Sequence, residues 1–304
     1  MRRIIYTNFL FIVMLSACDS RPSFTTLCEE NPEICQEFTK DTWCKNERIQ
    51  VGYANWEHKK KPHDLAKYNQ LIAYEKYEKC IAKASLIEHI KLKEKTTKRI
   101  NNLAIAKQKI KRISEITQYS EHPRLLYYHW SRYLNKDALQ KLLALENTPS
   151  LETPESQFEL ATYYAKRDPT KTIGLLYHSL ELIQAEQEIN VEVFKAIATY
   201  FTDIQEPKQT YIWLKVLRLY APDDQDIKQK TLEGYINDYD LDGKYLDKIA
   251  SATLKKIQSG KYPARMDAVR FPLLGFFDLH DLDRAGCFRV LRGRRFINCH
   301  ATYF

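Results

Sequence analysis

Four adjacent pairs of bulky side chains, Tyr127 with Tyr128, Tyr163 with Tyr164, Tyr200 with Phe201 and Tyr235 with Ile236, recur at intervals of 36, 37 and 35 residues. Each pair is followed by a turn signal, namely Asn135-Lys136-Asp137, Asp168-Pro169, Glu206-Pro207 and Asp242-Gly243, and then by a second apolar segment at helical spacing. A helix hairpin of this length cannot bury its apolar face alone, so it must stack on the next one, and four hairpins exceed the minimum of about three for a stable stack. The pairs are expected to begin near Arg124, Pro154, Val191 and Asp224. Their second helices should pack through Leu139, Leu142 and Leu143, then Leu175, Leu176 and Leu180, then Ile212, Leu214 and Leu217.

Only eight glycines occur in 304 residues, and 44% of the chain is apolar, which is enough for a substantial core. Such a composition favours helices over a glycine-punctuated sheet. From His63 to His122 there is neither Pro nor Gly, and Leu65, Tyr68, Leu71, Ile72, Ile81, Leu86 and Ile90, then Ile100, Leu103, Ile110 and Ile113, recur at helical spacings. The expected fold is therefore all-α. It comprises a small cysteine-containing segment, one very long or two consecutive helices, and an α-solenoid of about four tetratricopeptide-like hairpins. The corresponding boundaries are 1–17 for a signal peptide, 18–62 for a tether and cysteine-containing segment, 63–122 for the long basic helical segment, 123–263 for the repeats, and 264–304 for a tail of no assigned structure.

The amino terminus carries Arg2 and Arg3 ahead of an apolar run from Ile4 to Leu15, interrupted by Thr7 and Asn8. That is the layout of a secretory signal, and the run is too short for the ~20 residues a membrane-spanning helix needs. It ends in Leu15, Ser16, Ala17 and Cys18, a stretch that resembles the lipobox of bacterial lipoproteins. The resemblance implies that the Cys18 thiol is diacylglycerylated, that cleavage exposes its amine, and that a further acyl chain follows. A thiolate suits this chemistry as the strongest side-chain nucleophile near neutral pH. The alternative is a plain secreted protein in which Cys18 is an ordinary cysteine. In the sorting pattern of such lipoproteins, an aspartate after the acylated cysteine, here Asp19, implies retention at the inner membrane.

Setting Cys18 aside leaves six cysteines. Cys28, Cys35, Cys44 and Cys80 lie early in the mature chain, where an exported protein is oxidised, so two disulfides are expected, with three connectivities open. Zinc is the competing use, but the spacing lacks the close C-x2-C or C-x4-C pairs that such sites prefer. No metal or other cofactor is expected.

The net charge of +8 falls to +6 once Arg2 and Arg3 leave. Lys91, Lys93, Lys95, Lys98, Arg99, Lys107, Lys109, Lys111 and Arg112, opposed only by Glu94, concentrate +8 in one helical segment. Export removes cytoplasmic nucleic acid as a partner, so anionic lipid heads or acidic envelope polymers are the ligands such a helix would take, with Lys107, Lys109, Lys111 and Arg112 as the candidate contacts. A solvated helix face is the plainer reading.

Asp238-x-Asp240-x-Asp242-Gly243 copies the first half of an EF-hand loop, but the twelfth position is Ile249 where calcium needs a bidentate acid, and an acidic turn explains the stretch. His280, Asp281 and Asp283 cluster in the tail, where neighbouring polar residues in a loop are the default. Three readings of the tail stay open: a cap over the last repeat, a hairpin closed by a Cys287–Cys299 disulfide, or a disordered end. No H-E-x-x-H, G-x-S-x-G, P-loop or dinucleotide fingerprint is present, so the chain is expected not to be an enzyme. Trp130, Tyr133, Tyr211 and Trp213 are first of all core residues at helical spacing, and any left over would line the concave groove of a solenoid.

CEENPEIC and the later TWC, LLYYHWSR at 125–132, LATYYAKRDP at 160–169 and YIWLKV at 211–216 occur in order behind the lipobox. Together they resemble a family of Gram-negative envelope lipoproteins known as domain of unknown function 2989, over roughly Cys18 to Tyr262. The resemblance implies a lipoprotein without an assigned activity. The function expected is a lipid-anchored periplasmic scaffold, held in the bilayer by acylated Cys18 and engaging an envelope protein partner. The alternative is a surface-binding module that uses the basic helix.

Overall fold

The computed structural model of the chain describes residues 21–88, 92–224 and 226–263. Cys18, Asp19, Ile90, the tail with Cys287 and Cys299, and the His280, Asp281 and Asp283 cluster lie outside them. Thirteen α-helices and no strand are found among the described residues, so the protein is all-α.

Helix starts follow local chemistry. Proline opens α2 (Pro32–Gln36), α6 (Pro123–Tyr133), α8 (Pro154–Tyr164), α9 (Pro169–Glu181) and α11 (Pro207–Tyr220). Its missing N–H costs nothing where no intrahelical acceptor exists, and its fixed φ suits the first turn. Side chains that accept from the first turn cap α4 (Asp64–Ser85, by His63), α8 (by Thr153), α9 (by Asp168) and α13 (Gly243–Gln258, by Asp242). Asn31 precedes Pro32 but does not cap α2 with its side chain. Its amide instead donates to the Leu27 carbonyl at 3.2 Å, closing α1 (Phe24–Glu30), and its oxygen accepts from Lys59 at 2.8 Å.

The chain forms two compact units that divide between Ala144 and Leu145. In the first, α3 (Lys45–Lys60), α4 and α5 (Lys93–Thr117) pack side by side, with α1 and α2 against α3 and the hairpin of α6 and α7 (Lys136–Ala144) reached through α4. The glycine-free segment is thus two helices. They run antiparallel, since Arg99 near the start of α5 donates to the Ala84 carbonyl near the end of α4, at 3.0 Å. The core is more aromatic than periodicity implied: Tyr68, Leu71, Tyr74, Tyr77 and Ile81 of α4 meet Phe38, Ala106, Ile113, Leu125 and Tyr128. Leu65, Leu86 and Ile100, expected inside, are exposed, Leu86 to 82%, because it lies just beyond the last turn of α4.

The second unit holds two hairpins, α8 with α9 and α10 (Glu192–Asp203) with α11, which start at or one residue after the expected Pro154 and Val191. The expected fourth hairpin does not pair with itself, since α12 (Gln229–Tyr239) starts five residues after Asp224 and both it and α13 pack on α11. Leu176, Leu180, Ile212 and Leu217 are buried as expected, and Tyr177, Phe194, Trp213 and Tyr262 form the aromatic centre. Each such side chain withdrawn from water contributes about 1.5–3 kcal/mol. Gly260, at φ +65°, ends α13. A Cβ there would come within 2.8 Å of the Ala185 backbone nitrogen, so both conformation and space require glycine.

Candidate functional site

The cysteine-containing segment is covalently stapled. Cys28 bonds Cys35 and joins α1 to α2; Cys44 bonds Cys80 and ties the start of α3 to α4. The Glu47 carboxylate lies within 4.8 Å of the Cys44 and Cys80 sulfurs. With both sulfurs committed to each other, neither is the thiolate that a metal requires.

The four basic candidates do not share one face. Lys107 and Lys111 line a cleft with Glu75, Glu78, Arg132 and Tyr133, and Lys111 faces Glu115 at 3.9 Å. Lys109 and Arg112 line a different cavity with Glu33, Glu37, Asn55 and Tyr74, and Lys109 is ion-paired with Glu37. Part of the basic run has an internal role that charge counting missed. Arg99 is 4% exposed; its Nε donates to Asp41 at 2.6 Å, and the carboxyl of Asp41 is held below its usual range first by that bond. Asn102 exchanges two hydrogen bonds with the Thr39 backbone, at 2.9 and 3.0 Å. Helix α5 therefore clamps the segment from Glu37 to Asp41 that leads into α3.

In the second unit, the first helices of two successive hairpins, α8 and α10, border an open groove of about 450 Å³. Small side chains, Ala161, Ala165 and Ala196, keep its walls low, and Phe158, Leu176 and Ile204 make it apolar. Thr162 and Thr199 also line it, yet each hydroxyl donates to its own helix, to the Glu159 carbonyl at 2.7 Å and the Lys195 carbonyl at 2.9 Å, so these hydroxyls are bonded within their own helices. At one end Lys195 is ringed by Asp226, Asp224 and Glu192 at 2.6, 2.9 and 3.1 Å. The hydrogen bond to Asp226, foremost among these partners, keeps its ammonium strongly protonated. With Asp203 also on the wall, acids outnumber the cation.

The repeat carried a signal for this groove that aromatic pairs alone did not show. LATYYA at 160–165 and IATYFT at 197–202 align at an offset of 37, which places Thr162 with Thr199 and Tyr163 with Tyr200. Tyr200 lines the groove, whereas Tyr211 and Trp213 are buried in the core, Tyr211 donating to Asp247 at 2.8 Å. The acidic stretch near 240 is a helix junction: Asp240 takes a left-handed conformation at the end of α12, and Asp242 accepts from Tyr245 N at 3.1 Å to cap α13.

No match was found among curated proteins or among solved structures. A family profile described as "Protein of unknown function (DUF2989)" matches residues 15–215. That span begins at Leu15, includes both disulfides and the groove between α8 and α10, and stops within α11, short of α12 and α13. By this match across most of its length, the chain belongs to the DUF2989 family.

Proposed function

We propose that the protein is a lipid-anchored periplasmic interaction scaffold, tethered through acylated Cys18 and retained at the inner membrane by Asp19. The observation that carries the scaffold reading is the groove between α8 and α10: an open apolar surface made from equivalent helices of adjacent repeats, the place where stacked hairpins bind extended or helical segments. Its apolar walls and acid-rich end suit a partner segment with apolar side chains and a basic flank. A protein of the envelope fits that description; nucleic acid does not. The lipobox supports the anchor, because two or three acyl chains at ~0.8 kcal/mol per buried methylene hold a soluble domain firmly. The separation of Lys107 and Lys111 from Lys109 and Arg112 favours this reading over a basic helix laid on an anionic surface.

The test has two arms. Cys18→Ala is expected to abolish labelling by a fatty-acid analogue and to release the protein from membranes; continued membrane partitioning overturns the anchor. A photo-crosslinking residue at Thr199 is expected to give a discrete adduct in intact cells, and one at exposed Lys230 none. Ala196→Arg, which fills the groove while preserving helix propensity, should remove the adduct. Equal adducts at both positions, or an adduct that survives Ala196→Arg, overturns the groove.

A further inference from the structure

In the first unit, α2, α3, α4 and α5 border an open cavity of about 340 Å³, at the lower end of the size range of small-molecule sites. One wall is held in place by its own hydrogen bonds. The Glu37 carboxylate, 10% exposed, accepts from the Tyr74 hydroxyl at 2.5 Å and from Asn55 at 3.1 Å, and Gln70 donates to Asn55 at 2.8 Å. Burial, reinforced by the negative charge of Glu37, keeps the Tyr74 phenol protonated throughout the accessible pH range. Ile113 and Ile116 of α5 also line it, Ile113 at the edge of the core at 8% exposure and Ile116 exposed.

The charges on this cavity pair off with one exception. Glu37 is matched by Lys109, Glu33 by Lys59 at 2.7 Å, and Lys67 by Asp64 at 3.1 Å. Arg112 lines the cavity and makes no ion pair or hydrogen bond among the described residues. His58 lines it too, and burial, followed by the charges of Lys67 and His63, holds its imidazole neutral at physiological pH. One unmatched guanidinium beside aliphatic side chains is a complement to one negative charge carried on a short apolar body. The geometry points to a binding site for a small aliphatic carboxylate, its head on Arg112 and its chain along Ile113 and Ile116. This site is separate from the groove of the second unit, so each stands or falls without the other.

The full chain in lipid nanodiscs, titrated calorimetrically against an empty-nanodisc baseline, tests it with hexanoate, 1-hexanol and hexyl phosphate. Hexanoate is expected to bind with a Kd of about 1 mM or tighter, and 1-hexanol at least about tenfold more weakly. Arg112→Gln should weaken hexanoate about tenfold or more, Arg112→Lys should recover part of the loss, and Lys107→Gln, which faces the other cleft, should change nothing. Both Arg112 variants alter an exposed side chain and leave the core intact. No hexanoate binding, equal binding of hexanol, or an Arg112→Gln protein that binds normally overturns the site. Hexyl phosphate binding more than tenfold tighter than hexanoate overturns the carboxylate assignment.

Discussion

Replacing Cys44 and Cys80 together by alanine is expected to lower the stability of the first unit by about 4 kcal/mol. The bond closes a loop of 36 residues, and the chain-entropy relation for a loop of that length gives about that value. Cys44 is 1% exposed and belongs to the same core as Phe38, Tyr74 and Tyr77, so its removal also loosens packing. The Cys28–Cys35 bond spans only 7 residues, and the same relation gives it about 2 kcal/mol. Denaturant titrations of the two double variants, followed by tryptophan fluorescence, compare them directly. The unit contains Trp43, Trp56 and Trp130, so its unfolding is visible apart from the Trp213 signal of the other unit. A larger loss from the 28–35 pair would contradict the argument.

Arg99→Met is expected to cost about 3 kcal/mol, because it keeps the packing volume of the side chain but leaves the Asp41 carboxylate, 15% exposed, without its cation. The pH dependence separates this cause from simple loss of packing. Asp41 titrates below its ordinary 3.8 in the folded protein, chiefly through the Arg99 hydrogen bond. Its contribution to stability is therefore complete above that pH and is lost as the pH falls through the depressed value. In the Met variant the carboxyl gains little by staying ionised, so the gap between the two proteins should narrow as the pH drops below about 4. Denaturant midpoints measured from pH 7 to pH 3 check this. A gap that stays constant across the range would assign the loss to packing alone.

Much of the architecture was legible because the features that encode it are local. Prolines at 154, 169 and 207 mark first turns, and the aromatic pairs mark the repeat, so hairpin positions followed from spacing. The cysteine pairing was not legible, since it depends on α3 and α4 lying side by side, which spacing along the chain does not encode. Tyrosines were undervalued for a related reason: Tyr74 and Tyr77 look amphipathic, yet each is 1% exposed, and the Tyr74 hydroxyl reaches a partner 37 residues away. Arg99 read as one more charge on a solvated face, and only the fold brings Asp41 to it. The cavity beside Arg112 was hidden entirely, because four helices contribute its walls and no short motif marks it. Cys18 and Asp19, the plainest signals in the sequence, lie outside the described residues.

The way α5 clamps the segment from Glu37 to Asp41 sets an order of assembly. Arg99 reaches back 58 residues to Asp41 and Asn102 reaches 63 to Thr39, so the first unit gains no such support until α5 has been made. In the second unit, by contrast, α8 closes on α9 and α10 on α11 across short turns. Contacts between near neighbours form quickly, while distant ones must first overcome the entropy of closing a long loop. As the chain emerges from its amino terminus, its earliest residues are therefore among the last of their unit to settle, whereas the α8–α9 and α10–α11 hairpins can each close as soon as they appear.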